Sequence, residues 1–256
     1  MTQDSKRIIS KHVDLDKNSM LKFFDSRGAQ FDEMNPYVSI LYQDHDKDLA
    51  IIRDHHEKDI ITPLLHLNGK QHLLDIGCGV GRWADTALPS LDFYLGLDFS
   101  ESLIKLALNR FQSQDKTQFI VMDAKNVSQC TLGKYGFFDR IIISGVLIYM
   151  NDKEMEQMLR GILELCSKDT LIYIREPLAH EARLTLNEYW SNELNSSYSA
   201  IYRTAAEMNH LLADIFGSSG FNVKKFKPLY TDQLLNNRLE TSQFFTVFSN
   251  TNTEAE

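Results

Sequence analysis

From about residue 70 onward, short apolar runs alternate with longer amphipathic stretches, and few folds accommodate such a pattern. The runs are HLLDIG (72–77), FYLGLD (93–98), QFIVMD (118–123), DRIIISGV (139–146) and TLIYIR (170–175). They are nearly continuous in apolar residues, which predicts strands buried on both faces. Between them stand RWADTALPS, SESLIKLALNRF and DKEMEQMLRGILELC. In the second of these, Leu103, Leu106, Ala107 and Phe111 recur at helical spacing behind a candidate N-cap, Ser100. The alternation therefore predicts an α/β chain with a mainly parallel sheet covered on both faces by helices. Two later runs, 222–229 and 242–249, read as final strands.

Two segments outside this alternation are too long to be turns. Residues 1–69 look mostly helical, with a break at Asn35-Pro36, and are expected to form a lid. Residues 70–249 would form the core, interrupted at about 176–215 by an insertion that contains the helical-looking run TAAEMNHLLADIFG. The insertion also carries Arg183, Tyr189, Trp190, Tyr198, Tyr202 and Arg203, a density of aromatic and polar groups suited to covering a ligand. A polar tail at 250–256 is expected to be disordered.

The sharpest local signal is LLDIGCGVGRW, residues 73–83, which leaves an apolar strand and opens a helix. Glycines at Gly77 and Gly79 let the backbone turn and approach a ligand. About twenty residues on, at the end of the next strand, Asp98 is placed to accept both hydroxyls of a ribose. The spacing is GxGxG, with Arg82 where a dinucleotide loop carries its third glycine, and GxxxxGK[ST] is absent. NAD, FAD and ATP are therefore disfavoured.

These residues resemble the class I, Rossmann-like methyltransferases that use S-adenosylmethionine. LLDIGCGVGRW looks like their first motif, GLDFSESLIKLA like the second, QFIVMDA like the third and FDRIIISGVLIYM like the fourth, together covering about 70–175. The resemblance implies a three-layer sandwich around a mostly parallel seven-stranded sheet with one antiparallel strand near the C-terminus, a helical N-terminal lid, and an insertion after the fifth strand. It also implies roles. Asp75 would orient the loop or meet the methionyl ammonium, and Gly77 and Gly79 would admit the cofactor. Asp98 would hold the ribose, Phe99 would pack on adenine, and Asp123 beside Ala124 would accept the adenine amino group. Ser144 would border cofactor and substrate. Arg82 has two readings, a partner for the methionyl carboxylate or an ion pair on the helix surface. The fourth run is not followed by [DN]PP[YF], and Ser144-Gly145 stands where the metal-dependent catechol-type enzymes place an acid. Amino-methylating DNA enzymes and metal assistance are both disfavoured.

Methyl transfer from a sulfonium is a displacement, so catalysis reduces to positioning and removal of one proton. In a parallel sheet this happens beyond the carboxyl ends of the strands. Candidates there are Tyr149, Glu176 and His180, the last with a pKa range suited to a general base. Substrate-facing candidates are Tyr37 and Tyr42 of the lid, with Arg53 also able to close over the site. The insertion offers Tyr198, Tyr202, Arg183 and Arg203, the two arginines hinting at an anionic group on the acceptor or at ordinary ion pairing.

Bulk properties narrow the partner. A net charge of −8 works against a phosphate-binding surface, so nucleic acid is disfavoured and a small-molecule acceptor expected. No stretch of about 18 apolar residues is present, which argues against a membrane helix. The charged N-terminus is unlike a signal peptide, so a cytoplasmic location is expected. Cys78, Cys130 and Cys166 are scattered, the histidines lack ligand spacing, and no metal is expected. Asp44, Asp46 and Asp48 lack the glycine and the twelfth-position glutamate of a calcium loop and read as a solvated run. The reading is methyl transfer to oxygen or nitrogen of a small metabolite, with specialised metabolism or sugar modification suggested by the resemblance. Its rivals are a protein or RNA acceptor and a non-catalytic cofactor-binding module.

Overall fold

The computed structural model describes residues 6–41, 46–192, 194–232, 235–236 and 238–251. Chain order begins with β1 (Arg7–Ile9), α1 (Lys17–Gly28), α2 (Val38–Leu41) and α3 (Lys47–Ile61). The core follows as β2 (His72–Ile76), α4 (Ala84–Ala87), β3 (Phe93–Asp98), α5 (Glu101–Arg110), β4 (Thr117–Val121), α6 (Gln129–Leu132), β5 (Phe138–Ser144), α7 (Asp152–Leu163) and β6 (Cys166–Ala179). It closes with β7 (Leu184–Ser191), β8 (Ser196–Tyr202), α8 (Ala205–Leu212), β9 (Asn222–Pro228) and β10 (Thr241–Ser249).

Seven strands form one sheet in the order β4-β3-β2-β5-β6-β10-β9. The pairs from β4 to β6 are parallel, and β10 runs antiparallel to both its neighbours. Strand alternation divides the core. Leu74, Ile76, Ile141 and Ile143 pack with Met155, Leu159, Met208 and Leu212 from α7 and α8. Leu73, Tyr94, Ile142 and Tyr173 face the other way, onto Ile61 of α3, Ala84 of α4 and Ile104 of α5. This is the three-layer Rossmann-like arrangement, and Ser100 caps α5 as its spacing predicts, accepting from the Leu103 N–H. Among the described residues, no helix is long and apolar enough to cross a membrane.

The covering elements differ from a purely helical lid. The first strand, Arg7–Ile9, pairs antiparallel with Leu184–Leu186, and β7 pairs with β8, giving a small three-stranded sheet of order β1-β7-β8. Much of the insertion is thus a hairpin, followed by the anticipated helix, α8, whose Thr204–Glu207 capping box fixes its start. Local pattern does not announce β1, because its partner lies more than 170 residues away. Asp46 serves as the N-cap of α3, accepting from the Leu49 N–H. Tyr42 and Asp44, and the end of the polar tail from 252, lie outside the described residues.

Candidate active site

A cavity of about 400 Å³ opens at the carboxyl ends of β2, β3, β5 and β6. This is where a parallel sheet reverses its strand order and binds ligands. One end is built largely by the loop after β2. Gly77 and Gly79 have φ of +73° and +56°, a region that disfavours side chains. A Cβ at Gly77 would lie 2.3 Å from Val146 Cγ2. The Gly77 and Cys78 N–H groups both donate to the Leu97 carbonyl, which ties the loop to β3.

Asp98 secures the same loop. Its Oδ2 accepts from the Gly79 N–H at 3.0 Å and its Oδ1 from the Ser100 N–H at 2.9 Å. Burial pushes its carboxyl up to about 6, against the pull of those donors. Asp75 is also buried; desolvation raises it to about 7, although the Tyr94 hydroxyl donates to its Oδ2 at 2.6 Å. Phe99, Met122, Asp123 and Ala124 continue the wall. Helix α1 roofs it with Met20 and Phe24, and Phe24 meets Phe99 edge to face at 5.3 Å. Lys17 of the same helix bridges Asp123 at 2.7 Å and Glu154 at 2.8 Å.

The other end lies under the cap. Tyr149, Tyr198 and Tyr202 line it, with hydroxyls linked at 3.0 Å (Tyr149 to Tyr198) and 3.2 Å (Tyr202 to Tyr198). Leu184, Leu186 and Tyr189 of β7 close over them. Beyond Gly145 stand Arg53, Arg175, Tyr230 and Gln243.

A buried ionic cluster joins the two ends. Arg82 pairs with Asp54 at 2.8 Å and Glu57 at 3.0 Å, and donates to Ser144 Oγ at 3.0 Å. Glu57 also meets Arg175 at 3.3 Å and accepts from the Tyr173 hydroxyl at 2.7 Å. Burial alone would raise the Glu57 carboxyl, but Arg175 and Arg82 more than offset it and hold it at about 2. Arg82 thus makes ion pairs, as one of its two readings anticipates, but buried rather than on the helix surface. The residue is 4% exposed and anchors α3 to the glycine loop and to Ser144.

The candidates separate by position. Asp75, Gly77, Gly79, Arg82, Asp98, Phe99, Asp123, Ala124 and Ser144 all line the cavity, as do Tyr149, Tyr198 and Tyr202. Glu176 does not. Its carboxylate accepts the Val146 and Leu147 N–H groups at 2.8 Å and that of Ile148 at 3.3 Å, fixing the turn that carries Tyr149. Burial pushes this carboxyl up to about 7. His180 is exposed, off the cavity, with Nε2 2.7 Å from Ser242 Oγ. Arg183 and Arg203 both bind Asp152, at 2.9 and 2.6 Å, and Arg203 also donates to the Leu147 and Met150 carbonyls. They brace the same turn from behind. Tyr37 is also off the cavity, donating to Asp85.

Residues that sequence reading did not single out include Lys17, Met20, Tyr230 and Gln243, each brought in by tertiary packing. Arg175 carried a legible signal, a charge closing the apolar run TLIYI.

Residues 73–169 match the family described as a methyltransferase domain. A wheat (Triticum aestivum) phosphoethanolamine N-methyltransferase 1 is 24% identical over 152 residues, 55% of this chain and 30% of that protein. Among solved structures, phosphoethanolamine N-methyltransferase 1 of Haemonchus contortus, in complex with phosphoethanolamine and S-adenosylhomocysteine, superposes with a TM-score of 0.71 at 20% identity. That alignment covers 100% of this chain and 52% of the other. Magnesium protoporphyrin IX methyltransferase of Synechocystis PCC 6803, with bound S-adenosylmethionine, gives 0.58 at 18% identity, covering 93% and 99%. The chain spans about a third of the length of the curated relatives it matches. The fold is a three-layer α/β domain with a glycine loop at the carboxyl end of β2. The family match falls on the strands from β2 to the start of β6, in a fold shared with these methyltransferase structures.

Proposed function

We propose that this chain transfers the methyl group of S-adenosylmethionine to an oxygen or nitrogen of a small metabolite by direct displacement. The observation that carries this reading is the single cavity running from Asp98 and the glycine loop to the tyrosine hydroxyls beneath the cap. When bound, the cofactor supplies a methyl group on a positively charged sulfur. The residues fit it: Gly77 and Gly79 let the loop backbone face the cavity while packing on Val146 and Ile40, and Asp98 retains lone pairs for two ribose hydroxyls. Asp123 and Phe99, which line the same cavity, would read and pack the adenine.

At the acceptor end, Tyr149 and Tyr198 present hydroxyls that orient a nucleophile by hydrogen bonding. The cap strands and α1 exclude water, which strengthens those contacts. Such enclosure favours a small acceptor over a protein or RNA chain. The relatives named for phosphoethanolamine and magnesium protoporphyrin IX, both small molecules, support the same reading.

Calorimetric titration with S-adenosylmethionine, with NADH in parallel, tests the first half. Micromolar binding of the sulfonium cofactor and none of NADH is expected; the reverse sinks the proposal. Labelled methyl offered to a small-molecule acceptor panel tests the second half. Tight cofactor binding with no transfer across the panel would favour a non-catalytic module instead.

A further inference from the structure

The cationic end of the cavity extends the methyltransferase reading, on which the following rests. We infer that Arg175 and Arg53, with Tyr230 and Gln243 beside them, form an anion subsite that takes a compact oxyanion carried by the acceptor, a phosphoryl or carboxylate group.

Position comes first. Arg175 is in register with Ser144 on β5, and Ile143 of β5 with Ile76 of β2. Arg175 therefore stands two strands from the glycine loop, about 10 Å at ordinary strand spacing. It lies on the side away from β3 and Asp98. A group held there is on the opposite side of the glycine loop from the Asp98 carboxylate.

Chemistry comes second. Arg53 precedes Glu57 by one helical turn and so shares its face of α3. Its guanidinium donates to the Leu235 carbonyl and lies 5.8 Å from the ring of Tyr230, which is 4% exposed. Arg175 Nη1 is 3.3 Å from Gln243 Oε1, and Tyr230 is electrostatically coupled to both arginines. Behind them Arg82 and Arg175 share Glu57, and Arg82 and Lys58 share Asp54, which fixes the floor under the two guanidinium groups. Buried charge is costly unless paired, and two guanidinium groups beside a phenol suit a multidentate oxyanion.

The test uses the full chain saturated with S-adenosylhomocysteine, titrated with inorganic phosphate and with acetate at constant ionic strength. Wild type should bind at least one of them. Gln243→Glu, which sets a carboxylate against Arg175, should abolish that binding. Arg53→Gln should weaken it about tenfold or more, the scale of a charge-assisted hydrogen bond. Both variants should keep S-adenosylhomocysteine affinity within twofold and the wild-type circular dichroism. Tighter phosphate assigns a phosphoryl group, and tighter acetate a carboxylate. The subsite is overturned if neither anion binds, or if folded variants bind them as wild type does. It is equally overturned if Arg53→Gln costs S-adenosylhomocysteine affinity by the same factor, since the arginines would then serve the cofactor. A wild type that binds no S-adenosylhomocysteine refutes the methyltransferase reading itself.

Discussion

The two ends of the cavity are built by different means. The cofactor end draws on consecutive strand termini, Asp75 to Gly79, Asp98 with Phe99, and Asp123 with Ala124, and much of its recognition is by backbone. The acceptor end is assembled from α3, the turn after β5, the cap hairpin and the segment between β9 and β10. One end is built from residues that directly follow the strands, so local sequence and strand order together place it. The other depends on which side chains distant segments deliver, and there specificity can change without disturbing the fold.

The largest expected effect comes from cutting the link between the ends. Glu57→Gln leaves Arg82 and Arg175 without their shared carboxylate and should cost about 3–5 kcal/mol in chemical denaturation. A loss below about 1 kcal/mol would mean the two ends are not mechanically joined through α3.

Next is Asp98→Ala, which should reduce cofactor affinity by about 1.5–3 kcal/mol in calorimetry while sparing anion binding. Affinity preserved within twofold would remove Asp98 from ribose recognition. The wild-type pH dependence sharpens this. The Asp98 carboxyl, at about 6, must be ionised to accept two hydroxyls. Affinity should therefore be full above about pH 7 and fall as pH drops through 6, by up to about tenfold per unit. Asp98→Asn should abolish that step.

A smaller effect is expected from Tyr198→Phe, which removes the hydroxyl linking Tyr149 and Tyr202. Turnover should fall by about 0.5–1.5 kcal/mol in barrier with cofactor affinity unchanged. An equal loss of cofactor affinity would erase the division between the ends. The smallest effect belongs to His180→Ala. Because His180 is exposed and off the cavity, kcat should stay within about twofold, whereas a general base would cost about 10²–10⁴.

Glu176 and Arg203 show why the acceptor end resisted reading. Both are polar residues near strand ends, where Glu176 is expected as a catalytic group and Arg203 as a substrate-facing one or an ion pair. Yet one caps three backbone N–H groups, and the other holds Asp152 and two carbonyls. Sequence position placed them within reach of the site, but the direction each side chain takes was set by which unpaired backbone groups needed partners.

The chain's own pattern determined the α/β layering, six of the seven core strands to within two residues of their observed bounds, and the glycine loop and Asp98 that line the cavity. Those features are encoded locally: apolar runs, a cap, glycines where the backbone must turn, and an acid one strand later. Tertiary structure alone decided that β1 joins the insertion hairpin as a β cap, that Arg82 is buried against α3, and that Arg53, Arg175 and Tyr230 meet. Each of these contacts spans tens to more than a hundred residues, and its energy is realised only when the intervening chain is already packed. No local spacing in the sequence records it.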